Sequence, residues 1–395
     1  MRRVLELLAD RFGWQPEREF EAGVAIALLR DNASITLEPA GQLELSGAPF
    51  TDVHQTKAEH DTHLRELREV SAELGIVWLG VGFHPFATHV ELPHVPKFRY
   101  AIMQRYLPTR GARSLDMMRR TCTVQANLDY SSEADAIRKL RIGLALQPIV
   151  TALFANSPFV EGRVGPRLCE RAAVWLGMDP DRSGLLPFAW ERNASFQSYV
   201  EWALDVPMFL IKRGDRVIDC TAITFRTFMR DGIEGERATR HDWETHLNTM
   251  FPEARLKRTL ELRGADAQSA ERTCALPALW RGLLYDQTAL ERAEALIGPL
   301  DPRSLQAARP AIAERALGAE LAGRSVQRWA QDVVELATAG LQRLAVRDAE
   351  GRDESVYLEP LHQQLERGET EASRLVAQLQ GAPDFRKRVV ELTRL

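Results

Sequence analysis

The sequence predicts an α+β fold in which antiparallel strands come early and helices cluster late. Alternating polar and apolar residues, typical of half-buried strands, occur in four separate segments before residue 264. From residue 277 onward, apolar residues follow the three-to-four-residue spacing of helices. The chain of 395 residues loosely suggests two or three domains, but no linker rich in Pro, Gly or Ser divides it, so one large domain remains an alternative.

The N-terminal elements are a helix and a series of short strands. Apolar residues at helical spacing predict a helix over residues 2–12 that ends at Gly13. Strands are predicted over residues 24–29, 34–38 and 42–46. Turn-forming residues separate these three segments, which we therefore expect to lie next to one another as hairpins.

The remaining elements alternate between helix and strand before the helical end of the chain. The predicted elements are a helix capped by Thr51 or Asp52 and running to about Glu73, an apolar strand over 76–83, a strand over 121–129, a helix capped by residues 131–133 and running to about Phe154, a hairpin over 207–220, a strand over 256–263, and helices from 277 to the end that include 325–344.

Composition and charge argue against several classes of protein. The 51 Lys and Arg nearly balance the 55 Asp and Glu, and no basic block stands out, so we expect neither a nucleic-acid nor a membrane-surface partner. The longest apolar stretches, 74–83 and 142–155, are shorter than the ~20 residues of a membrane span. Glu6 and Asp10 lie where a signal peptide would be apolar, which predicts a cytoplasmic protein. The four cysteines form no CxxC pair and are expected to be reduced thiols.

Polar side chains occupy every second position of the predicted strands. Gln, Asn, Glu and Asp are poor strand formers, so strand propensity does not explain them. One interpretation is a solvated sheet face, which is common in antiparallel sheets. The other is a site for Mg²⁺ and phosphate, because the set combines hard oxygen ligands with a guanidinium. The set is Glu38, Gln42, Glu44, Gln125, Asn127, Glu261 and Arg263.

Common phosphate and hydrolase motifs are missing from the sequence. No Gly-Lys dipeptide is present, which excludes a Walker A loop, and Gly80-Val81-Gly82 lacks the third glycine of a dinucleotide fingerprint. No Gly-x-Ser-x-Gly elbow occurs either. The set of polar strand residues must therefore be interpreted without a standard motif.

Several segments resemble the plant- and proteobacterial-type glutamate–cysteine ligases. The resemblance covers about residues 1–360. Its longest pieces are SITLEPAGQLELSG at 34–47, DMMRRTCTVQANLD at 116–129, DPDRSGLLPF at 179–188 and LELRGAD at 260–266, with shorter pieces at 155–159, 203–208 and 274–280.

The resemblance implies ATP-dependent ligation of cysteine to the γ-carboxyl of glutamate, the first step of glutathione synthesis, with Mg²⁺ as the metal. It also implies a single catalytic domain over 1–395, built on the curved, mainly antiparallel sheet of the glutamine-synthetase-like carboxylate–amine ligases, with helices on one side and the active site on the other. In such a reaction ATP first converts the carboxylate to a γ-glutamyl phosphate, which the amine of cysteine then attacks. Catalysis is therefore mainly positioning and neutralisation of phosphoryl charge.

The same resemblance assigns roles to individual residues. Glu44 and Glu261 would be metal ligands with Glu38 and Gln125 near them, and Arg263 would act with Glu261 in catalysis and bind the transferring phosphoryl group of ATP. Glutamate would be held by further residues, although the arginines among them can also be surface residues and the apolar ones core residues. These substrate residues are Arg171, Trp175, Arg182, Asn127, Met117 and Met118.

The start of the chain departs from the family pattern. Members normally begin with a strand carrying a Gly-x-Glu-x-Glu motif that completes the metal site, and this sequence has no counterpart. Either the chain starts at an internal methionine or it is a divergent member. An open sheet edge there could pair with a second subunit and form a homodimer. A ligase with another amine or acid, and a non-catalytic relative that binds amino acid or nucleotide, remain alternatives.

Overall fold

Helices form the larger part of the protein. The computed structural model describes residues 1–18, 23, 25–95, 97–214, 216–381 and 383–395. Within these residues the helices are α1 (Arg2–Phe12), α2 (Val53–Leu74), α3 (Phe98–Tyr106), α4 (Ser114–Arg120), α5 (Glu133–Leu153), α6 (Glu170–Leu176), α7 (Phe196–Asp205), α8 (Phe225–Asp231), α9 (Arg240–Leu247), α10 (Ala275–Leu284), α11 (Gln287–Ile297), α12 (Pro302–Arg315), α13 (Val326–Leu344), α14 (Glu359–Arg367), α15 (Glu371–Leu379) and α16 (Phe385–Thr393).

The strands are short and lie mostly in the first two thirds of the chain. They are β1 (Gln15–Arg18), β2 (Ala25–Arg30), β3 (Ala33–Leu37), β4 (Leu43–Ser46), β5 (Thr123–Leu128), β6 (Phe159–Val160), β7 (Arg163–Val164), β8 (Ser183–Gly184), β9 (Leu210–Arg213), β10 (Arg216–Asp219), β11 (Phe251–Pro252), β12 (Ala254–Leu256), β13 (Leu260–Asp266), β14 (Glu320–Leu321) and β15 (Arg324–Ser325).

Two antiparallel sheets dominate the strand pairing. β1 to β4 form a four-stranded sheet in chain order, and β12, β13 and β5 form a three-stranded sheet with β13 in the centre. The other described strands pair in twos, and β8 with β11 is the parallel pair among them. The α+β class is therefore confirmed. The strands are divided between several sheets, whereas the expectation was one curved sheet.

Most of the predicted elements agree with the structure, because their local signals are strong. Asp52 is the N-cap of α2 and accepts a hydrogen bond from the backbone of Gln55, and Ser132 caps α5 in the same way. Gly13 ends α1 in the left-handed conformation that glycine adopts without strain. The 207–220 hairpin and the early strands are also present, although Val24 and Asp215 lie outside the described residues.

One strand prediction is wrong and another is only partly right. Residues 76–83 form isolated bridges instead of a strand, because their backbone hydrogen bonds go to separate parts of the chain, such as Gly80 to Thr393 at the end of α16 and Gly82 to Asn156. The predicted strand over 256–263 contains the turn between β12 and β13.

The largest hydrophobic core surrounds α5 and positions the central strand β13. α5 is buried along most of its length and packs on β12 and β13, while α10 packs on β5 and on α13. On β13, Leu260 and Leu262 are fully buried in this core. Side chains alternate along a strand, so Glu261 and Arg263 leave β13 on the opposite face. Among the described residues no helix is long and apolar enough to cross a membrane.

Candidate active site

A buried carboxylate surrounded by three cations lies on the β12–β13 hairpin. Glu261 is 2% exposed, and its carboxylate accepts from Arg255 at 2.8 Å and from the Nζ of Lys257 at 2.6 Å. Arg263 donates to the other oxygen of the same carboxylate. These four residues, called here the hairpin cluster, carry three positive charges and one negative charge.

The register of the hairpin explains how the hairpin cluster forms. Arg255 on β12 is directly opposite Glu261 on β13, and Arg263 follows two residues later on the same face. A turn closed by a hydrogen bond from the Lys257 backbone to Thr259 brings the lysine back towards the carboxylate. Strand alternation predicts the pair Glu261 and Arg263 but not Arg255 and Lys257. A hairpin centred on residue 258 would have revealed them, because it pairs 255 with 261.

The charges of the hairpin cluster perturb one another strongly. Burial alone would raise the pKa of Glu261, but the charges of Arg263, Arg255 and Lys257 outweigh it and hold that pKa well below its usual range. Burial, together with the neighbouring Arg255, lowers the pKa of Lys257. Burial also lowers the pKa of Arg255, with Arg263 adding to the effect. A surplus of cations in a partly dry site favours an anionic ligand.

A pocket adjoins the hairpin cluster on the side of Arg263. The guanidinium of Arg263 lies over the rings of Trp175 and Phe251, at 5.8 and 5.7 Å from their centres. Arg171, 3% exposed, donates from Nη2 to the carbonyl of Arg263 at 2.9 Å, and burial lowers its pKa. The pocket is lined by Gln147, Pro148, Thr151, Arg171, Ala172, Trp175, Leu176, Phe251, Pro252, Glu253, Arg263, Gly264, Arg309 and Ile312.

Two hydrogen-bond donors in this pocket are unused. The Nε atom of Arg171 and the Nε1 atom of Trp175 are buried and find no hydrogen-bond partner among the described residues. Buried donors are normally paired, so these two donors make the pocket a candidate site for a ligand with acceptor oxygens. The structure thus brings the predicted Arg171 and Trp175 together with Arg263.

Arg182 does not join this pocket. It is fully buried, with its guanidinium 3.9 Å from the ring centre of Phe209. Its nitrogens donate to Asp179 at 2.7 Å, to the carbonyl of Pro207 at 2.7 Å and to that of Thr249 at 3.3 Å. A guanidinium whose nitrogens are all engaged in this way holds loops together, and the contact of Arg182 with substrate stays a prediction.

Met117 and Met118 are core residues. They are 9% and 4% exposed and belong to the second hydrophobic core, which also includes residues of α1, β2 and β3. Thioether side chains at these positions fill space between helix and sheet. The structure therefore favours the core alternative over the predicted contact with substrate.

The carboxylates predicted to bind metal lie on two different sheets. Glu38 follows β3 and Glu44 lies on β4, whereas Gln125 and Glu261 belong to the three-stranded sheet. Part of the Glu44 side chain is exposed to solvent, and protein surrounds the rest. This partial burial, together with the negative charge of Glu38, raises the pKa of Glu44. In the part of the chain that the structure describes, no three carboxylate, histidine or cysteine side chains converge on a possible metal position.

Asn127 and Gln125 border the hairpin cluster on β5. Asn127 is directly opposite Glu261 in the strand pairing, is exposed, and accepts a hydrogen bond from Thr259 at 3.4 Å. Gln125 is half-buried on the same face, next to the irregularity in the pairing between Leu262 and Ala265. Both predicted residues are thus close in register to Glu261 and Arg263.

Fold and site together define an α+β protein whose sheet carries a cationic site next to a pocket with unused hydrogen-bond donors. Comparison with known proteins identifies its family. The model of glutamate-cysteine ligase family 2 matches residues 9–391. The chloroplastic glutamate–cysteine ligase of Medicago truncatula is 45% identical over 376 residues, which are 94% of this chain and 72% of the relative. That of Arabidopsis thaliana is 45% identical over 381 residues, 96% of this chain and 72% of the relative. The chain belongs to glutamate-cysteine ligase family 2, as its resemblance predicted.

The comparison corrects the predicted location. The relatives are named as chloroplastic enzymes, among them glutamate–cysteine ligase B of Oryza sativa subsp. japonica, 44% identical over 95% of this chain and 75% of the relative. The prediction of a cytoplasmic protein is therefore wrong. It rested on two carboxylates near the N-terminus, which argue against a secretory signal peptide and do not distinguish among other compartments.

Proposed function

We propose that this protein ligates cysteine to the γ-carboxyl of glutamate in an ATP-dependent reaction, the first step of glutathione synthesis. The observation that carries the proposal is the cationic hairpin cluster adjoining a pocket with unused donors at Arg171 and Trp175. Membership of the family and 45% identity to named glutamate–cysteine ligases support it. The described sheets and helices would then be parts of one catalytic domain with the carboxylate–amine ligase fold.

The residues of the site have different roles, which follow from their chemistry. Arg171 and Trp175 present donors to a carboxylate of glutamate, which positions the substrate beside Arg263. Arg263 and Lys257 neutralise the negative charge that develops while the phosphoryl group of ATP moves to the γ-carboxylate. Glu261 holds both cations in place, so that their positions are fixed before the reaction begins.

The acidic side chains at the four-stranded sheet supply only part of the ligands that Mg²⁺ needs. Mg²⁺ is usually bound through one or two carboxylates together with substrate phosphates and water, so a group of three protein ligands is not required. Glu38 and Glu44 supply two carboxylates that repel each other, and a divalent cation relieves that repulsion. When bound, the ion neutralises phosphate charge. We propose Glu44 and Glu38 as its protein ligands.

The proposal is tested by phosphate release from purified protein. Phosphate should appear when ATP, Mg²⁺, glutamate and cysteine are all present, together with γ-glutamylcysteine. Arg263→Ala should lower kcat by about a hundredfold or more, as expected for loss of a group that stabilises developing charge. Arg240→Ala is the matched control, because Arg240 is exposed on α9.

Two outcomes would contradict the proposal. Turnover with another amine in place of cysteine would indicate a related ligase, and binding of glutamate and ATP with no turnover would indicate a non-catalytic relative. Equal activity of the Arg263→Ala and Arg240→Ala variants would contradict the role of the hairpin cluster.

A further inference from the structure

The pocket contains a third unused polar atom, and it is an acceptor. Gln147 on α5 is 1% exposed, and its Oε1 is buried with no hydrogen-bond partner among the described residues. The same pocket contains the unused donors of Arg171 and Trp175. A buried polar group without a hydrogen-bond partner is destabilising, so three such atoms around one pocket indicate a ligand that both accepts and donates hydrogen bonds.

The orientation of the Gln147 amide is determined by its other end. Nε2 donates to the backbone carbonyl of Glu253 at 2.7 Å. A carbonyl can only accept, so the nitrogen must face Glu253 and the oxygen must be the free atom. Gly264 leaves the room for that oxygen, because a Cβ at this position would lie 2.8 Å from Oε1.

We infer that Gln147 is a specificity residue that accepts a hydrogen bond from the α-ammonium group of glutamate. This inference rests on the proposed function. A ligand with carboxylate oxygens for Arg171 and Trp175 and a cationic donor for Gln147 is an α-amino acid zwitterion. Both substrates of the reaction are α-amino acids, but the amine of cysteine is consumed as the nucleophile. Glutamate alone keeps an ammonium group throughout the reaction, and this group needs a permanent acceptor.

The neighbouring carboxylate is already part of an ion pair. Glu253 also lines the pocket, but its side chain is paired with Arg309. This ion pair offsets the negative charge of Glu253, whereas the amide oxygen of Gln147 has no partner among the described residues. A hydrogen bond from an ammonium group is charge-assisted, which makes it about twice as strong as a neutral one.

Glutarate tests the inference, because it is glutamate without the α-amino group. Binding of both acids is measured by calorimetry with a non-hydrolysable ATP analogue and Mg²⁺, for the wild type, Gln147→Met and Gln147→Glu, with thermal melts to check folding. The wild type should bind glutamate about 10- to 100-fold more tightly than glutarate. Gln147→Met should lose this preference. Gln147→Glu should keep it, because it keeps an oxygen, although both variants lose the hydrogen bond to Glu253.

The possible outcomes test the role of Gln147 and the proposed ligase activity separately. No preference in the wild type, or an unchanged preference in Gln147→Met, would overturn the inference. Equal loss of the preference in both variants would also overturn it and would assign Gln147 a packing role. Turnover is measured in parallel with ATP and cysteine. A glutamate preference that depends on Gln147 without turnover would reject the ligase activity alone, and turnover with no such preference would reject this inference alone.

Discussion

At the scale of single residues, Glu261 forms ion pairs with three cations that are themselves partly buried. Glu261→Gln removes the one negative charge and leaves Arg255, Lys257 and Arg263 close together without compensation. Removing one partner of a buried ion pair typically costs about 3–5 kcal/mol, because a charge remains buried and unpaired. We therefore expect the free energy of unfolding to fall by this amount, measured by urea denaturation.

An exposed glutamate provides the control for this variant. Glu244 forms an ion pair with Arg240 on α9 in which both side chains are at least half exposed. Glu244→Gln should change the free energy of unfolding by no more than about 0.5 kcal/mol. Similar changes for the two substitutions would show that the hairpin cluster is not desolvated as the structure describes.

The hairpin cluster also shows which residues of the site can be predicted from the sequence. Strand alternation was enough to pair Glu261 with Arg263, because it needs no knowledge of the neighbouring strand. Arg255 and Lys257 depend on where the chain turns, and the prediction placed a continuous strand across that turn. Arg182 was assigned to substrate from resemblance alone, and only tertiary structure reveals that Asp179, Pro207 and Thr249 already engage its guanidinium.

At the scale of elements, helices with strong local signals were predicted closely and the extended segment 76–83 was not. α13 begins one residue after the predicted start, because Ser325 is its N-cap. The segment 76–83 has the composition of a buried strand. Because Gly80 and Gly82 have no side chain, however, its backbone lies directly against other parts of the chain. A Cβ at Gly80 would lie 2.4 Å from the carbonyl oxygen of Gln268. Such a close approach depends on distant residues, and apolar patterning alone does not reveal it.

Two glycines similarly determine how α10 packs against α13. A Cβ at Gly340 would lie 2.0 Å from the carbonyl oxygen of Gly282, so the two backbones are in direct contact. Gly340→Ala gains up to about 1 kcal/mol of helix propensity, but the clash requires the helices to separate. We expect a net loss of about 1–3 kcal/mol in the free energy of unfolding, measured by urea denaturation.

Gly318, in the short turn between α12 and β14, is the control for this substitution. A Cβ there would have its nearest neighbour at 3.8 Å, the Cβ of Arg315, so Gly318→Ala introduces no clash. Its free energy of unfolding should stay within about 1 kcal/mol of the wild type. If Gly340→Ala proved as stable as Gly318→Ala, the close contact of α10 and α13 would be contradicted.

At the scale of the whole molecule, two buried histidines make stability depend on pH. His63 on α2 and His246 on α9 are 6% and 2% exposed, and burial lowers the pKa of each to about 4. His60 contributes to the lowered value of His63, and Arg182 to that of His246. The Nδ1 atom of each has no hydrogen-bond partner among the described residues, so a proton added there would be buried without an acceptor.

The sign of the effect follows from the direction of these shifts. The unfolded chain takes up protons near the ordinary pKa of 6.5, whereas the folded chain resists until about 4. The stabilisation is therefore complete above pH 6.5 and is lost as the pH falls towards 4. Between pH 7 and pH 5 each histidine should remove about 2 kcal/mol from the free energy of unfolding. Ordinary carboxylates titrate mainly below this window.

His246→Gln should remove one of these two contributions. Glutamine is neutral at every pH, and its amide can replace the hydrogen bond that Nε2 makes to the carbonyl of Ala203 at 2.8 Å. Urea denaturation at pH 7 and pH 5 should therefore show a decrease about 2 kcal/mol smaller than in the wild type. His241→Gln on the same helix is the control and should keep the full decrease, because His241 is exposed. A full decrease in His246→Gln would mean that His246 becomes protonated in the folded protein as readily as in the unfolded chain.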